Sequence, residues 1–193
     1  MLILCSNGLS SEALRMEVRE HMHRCRTAAL VVTPSNDWKR QDRSVPRCIE
    51  ELEALRLSVS LFDIDEQPVK NLLYYDVVEF IGGNPFYLLD SIRRHKAEPV
   101  LRRIAKEKIL IGWSASAFVF GPTLELVNMY SPEMNIVNLT DLRALALTNM
   151  EVLPHYDSFA NMFDRFEERC SHYEKKHHTC VIRLNDGEGI ILE

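Results

Sequence analysis

The stretch KEKILIGWSASAFVFGPTLE, Lys106–Glu125, decides how the chain folds. A charged segment gives way to the aliphatic run Ile109–Ile111, followed by Gly112, Trp113, Ser114 and then the small residues Ala115, Ser116 and Ala117. A continuous apolar run of this length bounded by charge reads as a strand buried on both faces. The small residues after it suit the crowded first turn of a helix. The passage is therefore a strand-to-helix junction with a serine at the bend.

Working outward, the same alternation recurs. MLILCS at the start is a buried strand ended by Asn7-Gly8, and Ser10 or Ser11 can cap a helix carrying Leu14, Val18 and Met22 at helical spacing. AALVVTP, closed by Pro34, is a second strand; the polar segment from Ser35 to Val45 is a surface loop; Cys48 to Leu57 is a helix. LSVSLFDI and DVVEFIGG are the third and fourth strands. Phe86–Lys96 and Val100–Lys106 are two helical pieces separated near Pro99, and KILIGW is the fifth strand. Further on, a strand ends near Pro154, and Phe159–Tyr173 reads as one amphipathic helix with Phe159, Met162, Phe163 and Phe166 on its core side. Asn185-Asp186-Gly187 between two apolar runs is a hairpin signal. The chain stops on GIILE, as if inside the last strand.

Buried strands alternating with helices predict an α/β fold, a three-layer α/β/α sandwich around a mostly parallel sheet. No repeat, low-complexity tract or linker divides the sequence, so one domain over residues 1–193 is expected. With 193 residues, 46% of them hydrophobic, the chain can bury a full core without staples. A net charge of −5 offers no basic excess for phosphates, which argues against nucleic acid. Five scattered cysteines without a Cys-x-x-Cys pair fit reduced thiols in a cytoplasmic protein. No apolar stretch approaches the ~20 residues of a membrane helix.

In such sheets chemistry sits at the carboxyl ends of strands, which singles out IGWSASA and FIGGNPF. A sharp turn after a strand lifts a serine hydroxyl above the sheet and turns the N–H of the next residue, here Ala115, toward a reacting carbonyl. Such a bend is crowded, which explains Gly112 and the small residues after Ser114. A serine at a strand end can equally be an ordinary helix cap. A nucleophile also needs a base and an orienting acid from later loops. His155 in VLPHYD, after a strand and a proline, can be the base; Glu133 in YSPEMNIV can be the acid. Gly82 and Gly83 let backbone approach a substrate closely and can supply a second oxyanion donor.

Together, FIGGNPFYLL, IGWSASAFVFGPT, EMNIV and LPHYD resemble the peptidase E family, the aspartyl dipeptidases related to cyanophycinase, over roughly residues 77 to 157. The resemblance implies a flavodoxin-like fold of the class I glutamine amidotransferase type. It places Ser114 as nucleophile, His155 as general base and Glu133 as acid, with Glu125 a rival for that last position. Gly83 and Ala115 would form the oxyanion hole, with Gly82 and Asn84 shaping the strand end. It further implies a serine peptidase acting on short peptides, dipeptides with N-terminal aspartate; no cofactor or metal is expected from the sequence. The cations that could meet that aspartate are Lys39, Arg93, Arg94 and Arg165. Ser116 stands where the family carries glycine and Leu153 where it carries asparagine. Those departures keep open a catalytically silent binding or sensor module of the same fold, and a small-acyl esterase would share the triad. Cys170, His172, His177, His178 and Cys180 fit no tetrahedral metal spacing.

Overall fold

A computed structural model describes all residues, Met1–Glu193. The elements are β1 (Leu2–Cys5), α1 (Glu12–Glu20), β2 (Thr27–Val31), α2 (Val45–Ala54), β3 (Ser58–Phe62), β4 (Val77–Phe80), α3 (Pro85–Arg94), α4 (Glu98–Glu107), β5 (Ile109–Trp113), α5 (Ala115–Phe120), α6 (Glu125–Tyr130), β6 (Glu151–Leu153), α7 (Tyr156–Met162), α8 (Phe166–His177), β7 (Val181–Arg183) and β8 (Gly189–Leu192). Six strands form one sheet in the order β3-β2-β4-β5-β1-β8, parallel except for β8, which runs antiparallel to β1 at the edge. β6 and β7 pair in parallel as a separate small sheet.

The result is a three-layer α/β/α arrangement, and strand side chains alternate between its two faces. Ile3, Leu30, Val77 and Ile111 pack with Leu14 and Val18 of α1 and with Cys48 and Leu52 of α2. Leu4, Val31, Phe80 and Leu110 point the other way, toward Phe86 and Ile92 of α3, Leu101 of α4 and the helices that follow. β1, β4 and β5 are buried at every position, as continuous apolar runs in a doubly covered sheet must be. Local signals set the helix starts. Ser11 caps α1 through its hydroxyl, and Asn84 caps α3 by accepting from the N–H groups of Phe86 and Tyr87. Pro46, Pro85 and Pro99 lie in first turns, where the missing N–H does no harm.

Three expectations need correction. Residues 159–173 are two helices, because Phe163 turns extended after α7 (φ −105°, ψ 130°) and Arg165 takes a left-handed conformation before α8 (φ 47°). Met162 is then 69% exposed, while Phe159, Phe163 and Phe166 gather around the ring of Tyr130. The segment around Asn185-Asp186-Gly187 is no hairpin. β7 pairs with β6 and β8 with β1, so these residues cross from the small sheet to the large one. The helix expected to run from Cys48 to Leu57 spans Val45–Ala54, and Leu57 is a buried residue leading into β3. The five cysteines are unpaired, and no helix is long and apolar enough to cross a membrane.

Candidate active site

β5 lies between β4 and β1, and all three parallel strands end at the same edge. There the chain bends at Ser114, whose φ of 52° and ψ of −116° lie outside the regions a serine prefers. A non-glycine residue held this way costs on the order of 1–3 kcal/mol and persists only where its surroundings impose it. The restraint is visible on both sides. The N–H of Ser114 donates to the carbonyl of Cys5 at 3.2 Å, and α5 begins at the next residue. A Cβ on Gly112 would stand 2.5 Å from the Phe120 ring, and one on Gly82 would stand 2.5 Å from the Trp113 ring and 3.1 Å from the Ser114 Cβ. The bend needs glycine beneath it and beside it.

Ser116, the first departure from the family pattern, is fully buried, and its hydroxyl donates to the carbonyl of Ile81 at 2.6 Å. Its hydroxymethyl group is thus spent joining α5 to the end of β4. Leu153, the second departure, is fully buried in the core at the end of β6. At the end of β4, Gly83 has a φ of 141°, and a Cβ there would lie 2.2 Å from the carbonyl oxygen of Pro34. The N–H groups of Gly83 and Ala115 have no hydrogen-bond partner in the protein. Asn84 is occupied by capping α3 and by donating from Nδ2 to the carbonyl of Met134 at 2.7 Å.

His155 follows β6 and Pro154 in a left-handed conformation (φ 56°, ψ 33°). Its Nδ1 lies 2.6 Å from Oδ1 of Asp186. A carboxylate only accepts, so Nδ1 carries the proton and Nε2 presents its lone pair. Ser6, the residue after β1, joins this pair. Its hydroxyl donates to Asp186 Oδ1 at 2.7 Å and accepts from the backbone N–H of His155 at 2.9 Å. The Asp186-Gly187 turn is fixed by Asn7 Oδ1 accepting from the Gly187 N–H and by the Ser11 hydroxyl donating to the Gly187 carbonyl. Consecutive residues at the end of β1 therefore hold both halves of the site, Cys5 the backbone of Ser114 and Ser6 the backbone of His155. The Ser114 hydroxyl and the His155 Nε2 make no hydrogen bond within the protein, and both side chains are partly exposed.

The carboxylate on His155 is thus Asp186, in place of the expected Glu133. Glu133 is exposed on the short turn Pro132–Met134 and makes no ion pair or hydrogen bond. That turn docks over the start of α3 through Asn84. The rival Glu125 lies 3.3 Å from His177. The four cations considered for an acidic substrate all face carboxylates: Lys39 meets Asp63 and Asp65, Arg93 meets Asp141, Arg94 meets Asp90 and Asp65, and Arg165 meets Asp164. Reading from sequence missed Ser6 and Asp186. The strand-end rule could have pointed to Ser6; nothing local marks Asp186, which stands in a turn-like triplet.

The sequence profile of Peptidase family S51 matches residues 2–193. The chain belongs to that family. An uncharacterized peptidase of Listeria monocytogenes is 34% identical over 112 residues, covering 55% of this chain and 55% of that one. Peptidase E of Salmonella typhi is 28% identical over 154 residues, covering 77% of this chain and 66% of that one. The chain spans about half the length of the Listeria and Pasteurella relatives it matches. In three dimensions it is similar to a peptidase E candidate from Listeria monocytogenes EGD-e, with a TM-score of 0.77, 25% identity, and coverage of 99% of this chain and 93% of that one. A peptidase from an acI-B1 actinobacterium shares the fold at a TM-score of 0.65 and 15% identity, over 87% of this chain and 73% of that one.

Proposed function

We propose that the protein is a serine peptidase that cleaves short peptides through Ser114, His155 and Asp186. The observation that carries this reading is the His155–Asp186 bond, anchored by Ser6 to the same strand end that receives the strained Ser114. His155 Nε2 takes the proton of Ser114 Oγ as that oxygen attacks the scissile carbonyl. Asp186 holds the ring in the required tautomer and stabilises the imidazolium. The N–H groups of Gly83 and Ala115 meet the developing oxyanion, a contribution of about 10²–10³ in rate per donor. Collapse of the tetrahedral intermediate breaks the C–N bond, and His155 passes its proton to the leaving amine. Water then hydrolyses the acyl ester by the same proton route in reverse. Membership of family S51 and the peptidase E relatives support this chemistry. Dipeptides with N-terminal aspartate are the substrate class proposed, on the resemblance to peptidase E.

The test is turnover of Asp-Xaa dipeptides beside nitrophenyl esters by the wild type and Ser114→Ala, with a fluorophosphonate probe as active-site label. Wild-type cleavage, labelling at Ser114 and loss of on the order of 10⁶ in kcat in the variant are expected. Turnover that survives Ser114→Ala removes the nucleophile assignment, and esters cleaved in preference to every dipeptide would make the protein an esterase.

A further inference from the structure

The third residue of the buried strand β4 is a glutamate. Glu79 is 0% exposed in a strand whose other members are Val77, Val78 and Phe80, and neither of its carboxyl oxygens has a hydrogen-bond partner. Cys48 and Glu51, three apart on α2 and so on one helix face, lie opposite; both are buried. One donor atom from each residue, the Cys48 sulfur and an oxygen from each of the two carboxylates, lie within 4.8 Å of one another. The indole Nε1 of Trp113, at the margin of the same group, is buried and approaches the Glu79 carboxyl without forming a well-aligned hydrogen bond. Arg47 pairs with Glu51 Oε1 at 2.6 Å, and the N–H of Leu9 donates to Glu51 Oε2.

An unpaired carboxyl in an apolar interior is costly, and valine or isoleucine would serve this strand position without that penalty. We propose that Cys48, Glu51 and Glu79 bind a divalent transition-metal ion of the zinc class. On binding, Cys48 and Glu79 release their protons to solvent, and the resulting thiolate and two carboxylates carry three negative charges, which a divalent ion and the Arg47 guanidinium balance. The donor set selects the metal: sulfur suits zinc and its neighbours, whereas calcium and magnesium demand six or more oxygens. Zinc–ligand distances of about 2.0–2.3 Å put tetrahedral donors roughly 3.5 Å apart. The three groups must close in slightly, which the untethered carboxyl of Glu79 allows. The ion would lie on the α1–α2 face of the sheet, joining α2 to β4 behind Trp113, and would take no part in chemistry at Ser114.

The experiment titrates the chelator-treated full chain with Zn²⁺ and separately with Co²⁺. Expected are one equivalent of zinc per chain, a raised melting temperature with zinc, and a thiolate-to-cobalt charge-transfer band in the near ultraviolet. Cys48→Ser should abolish the band, and Glu79→Gln, which keeps shape without charge, should weaken binding by at least about 100-fold. Absence of the band in the folded wild type overturns the proposal, as does binding unchanged in both variants, which would locate the metal elsewhere. Glu79→Leu adds a check that does not depend on affinity. It should melt above the wild type in chelator and lose the response to zinc. An advantage of equal size in zinc and in chelator would show that Glu79 is simply a buried neutral acid.

Discussion

The two halves of the candidate site are built differently. The half around Ser114 is local: the bend, the unpartnered N–H of Ala115 and the supporting Gly112 fall within a few residues, and the facing glycines, Gly82 and Gly83, directly follow the adjacent strand β4. The half around His155 is assembled from afar. Its imidazole follows a strand of the small sheet, its carboxylate sits on the crossing to the large sheet, and Ser6, 149 residues before His155, ties them together. A local half tolerates little change because each atom is held by covalent neighbours and close packing. An assembled half depends on a few hydrogen bonds, so single side chains there can be removed with the fold left standing.

Replacing Asp186 with asparagine tests that contrast most severely. The amide can turn its NH₂ toward Nδ1, which favours the tautomer in which Nε2 carries the proton and cannot act as base. Loss of on the order of 10⁴ in kcat with little change in melting temperature is expected. A retained rate would show that the carboxylate–imidazole pair is not the working one. Ser6→Ala should do less, because Asp186 and His155 still meet but their positions relax. A fall of between about 10- and 100-fold, in kcat more than in KM, is the expected size for a small displacement of a base. An equal loss in both parameters would point to a disturbed binding surface instead.

Ser116→Ala probes the local half. It leaves the buried carbonyl of Ile81 without a donor, and about 1–3 kcal/mol of stability should go with it, read as a lower melting temperature or denaturation midpoint. Turnover should change only a few-fold, since the hydroxyl points to β4 and away from the reacting atoms. A more active variant would reverse this view and mark Ser116 as an obstruction.

The contrast also explains what was legible in the sequence. Apolar runs such as Ile109–Ile111 and Leu2–Cys5 identify buried parallel strands because burial on both faces leaves no other pattern. Gly112, Gly82 and the small residues after Ser114 identify the bend because sterics exclude anything larger. Asp186 could not be found this way. Asn185-Asp186-Gly187 has the local chemistry of a tight turn, and only the pairing of β8 with β1 rather than β7 brings its carboxylate to His155. Glu79 was passed over for the same reason: a glutamate in a buried strand is unusual, but its neighbours on α2 come from 28 and 31 positions earlier.

The smallest effect should come from Glu133, the acid that the family resemblance favours. Its side chain is exposed and unpaired, and its turn is fixed through the backbone carbonyl of Met134, which accepts from Asn84. Glu133→Gln removes a charge without touching that contact. An exposed charge acting across water is screened within about 10 Å at ordinary salt, so kcat and KM should stay within about two-fold of the wild type. Stability should move by no more than about 0.5 kcal/mol. Measured beside Asp186→Asn, this variant separates the two candidate acids directly. If Glu133→Gln abolishes turnover while Asp186→Asn spares it, the turn 132–134 must reach His155 once substrate binds, and the local and assembled halves would exchange their roles in the comparison.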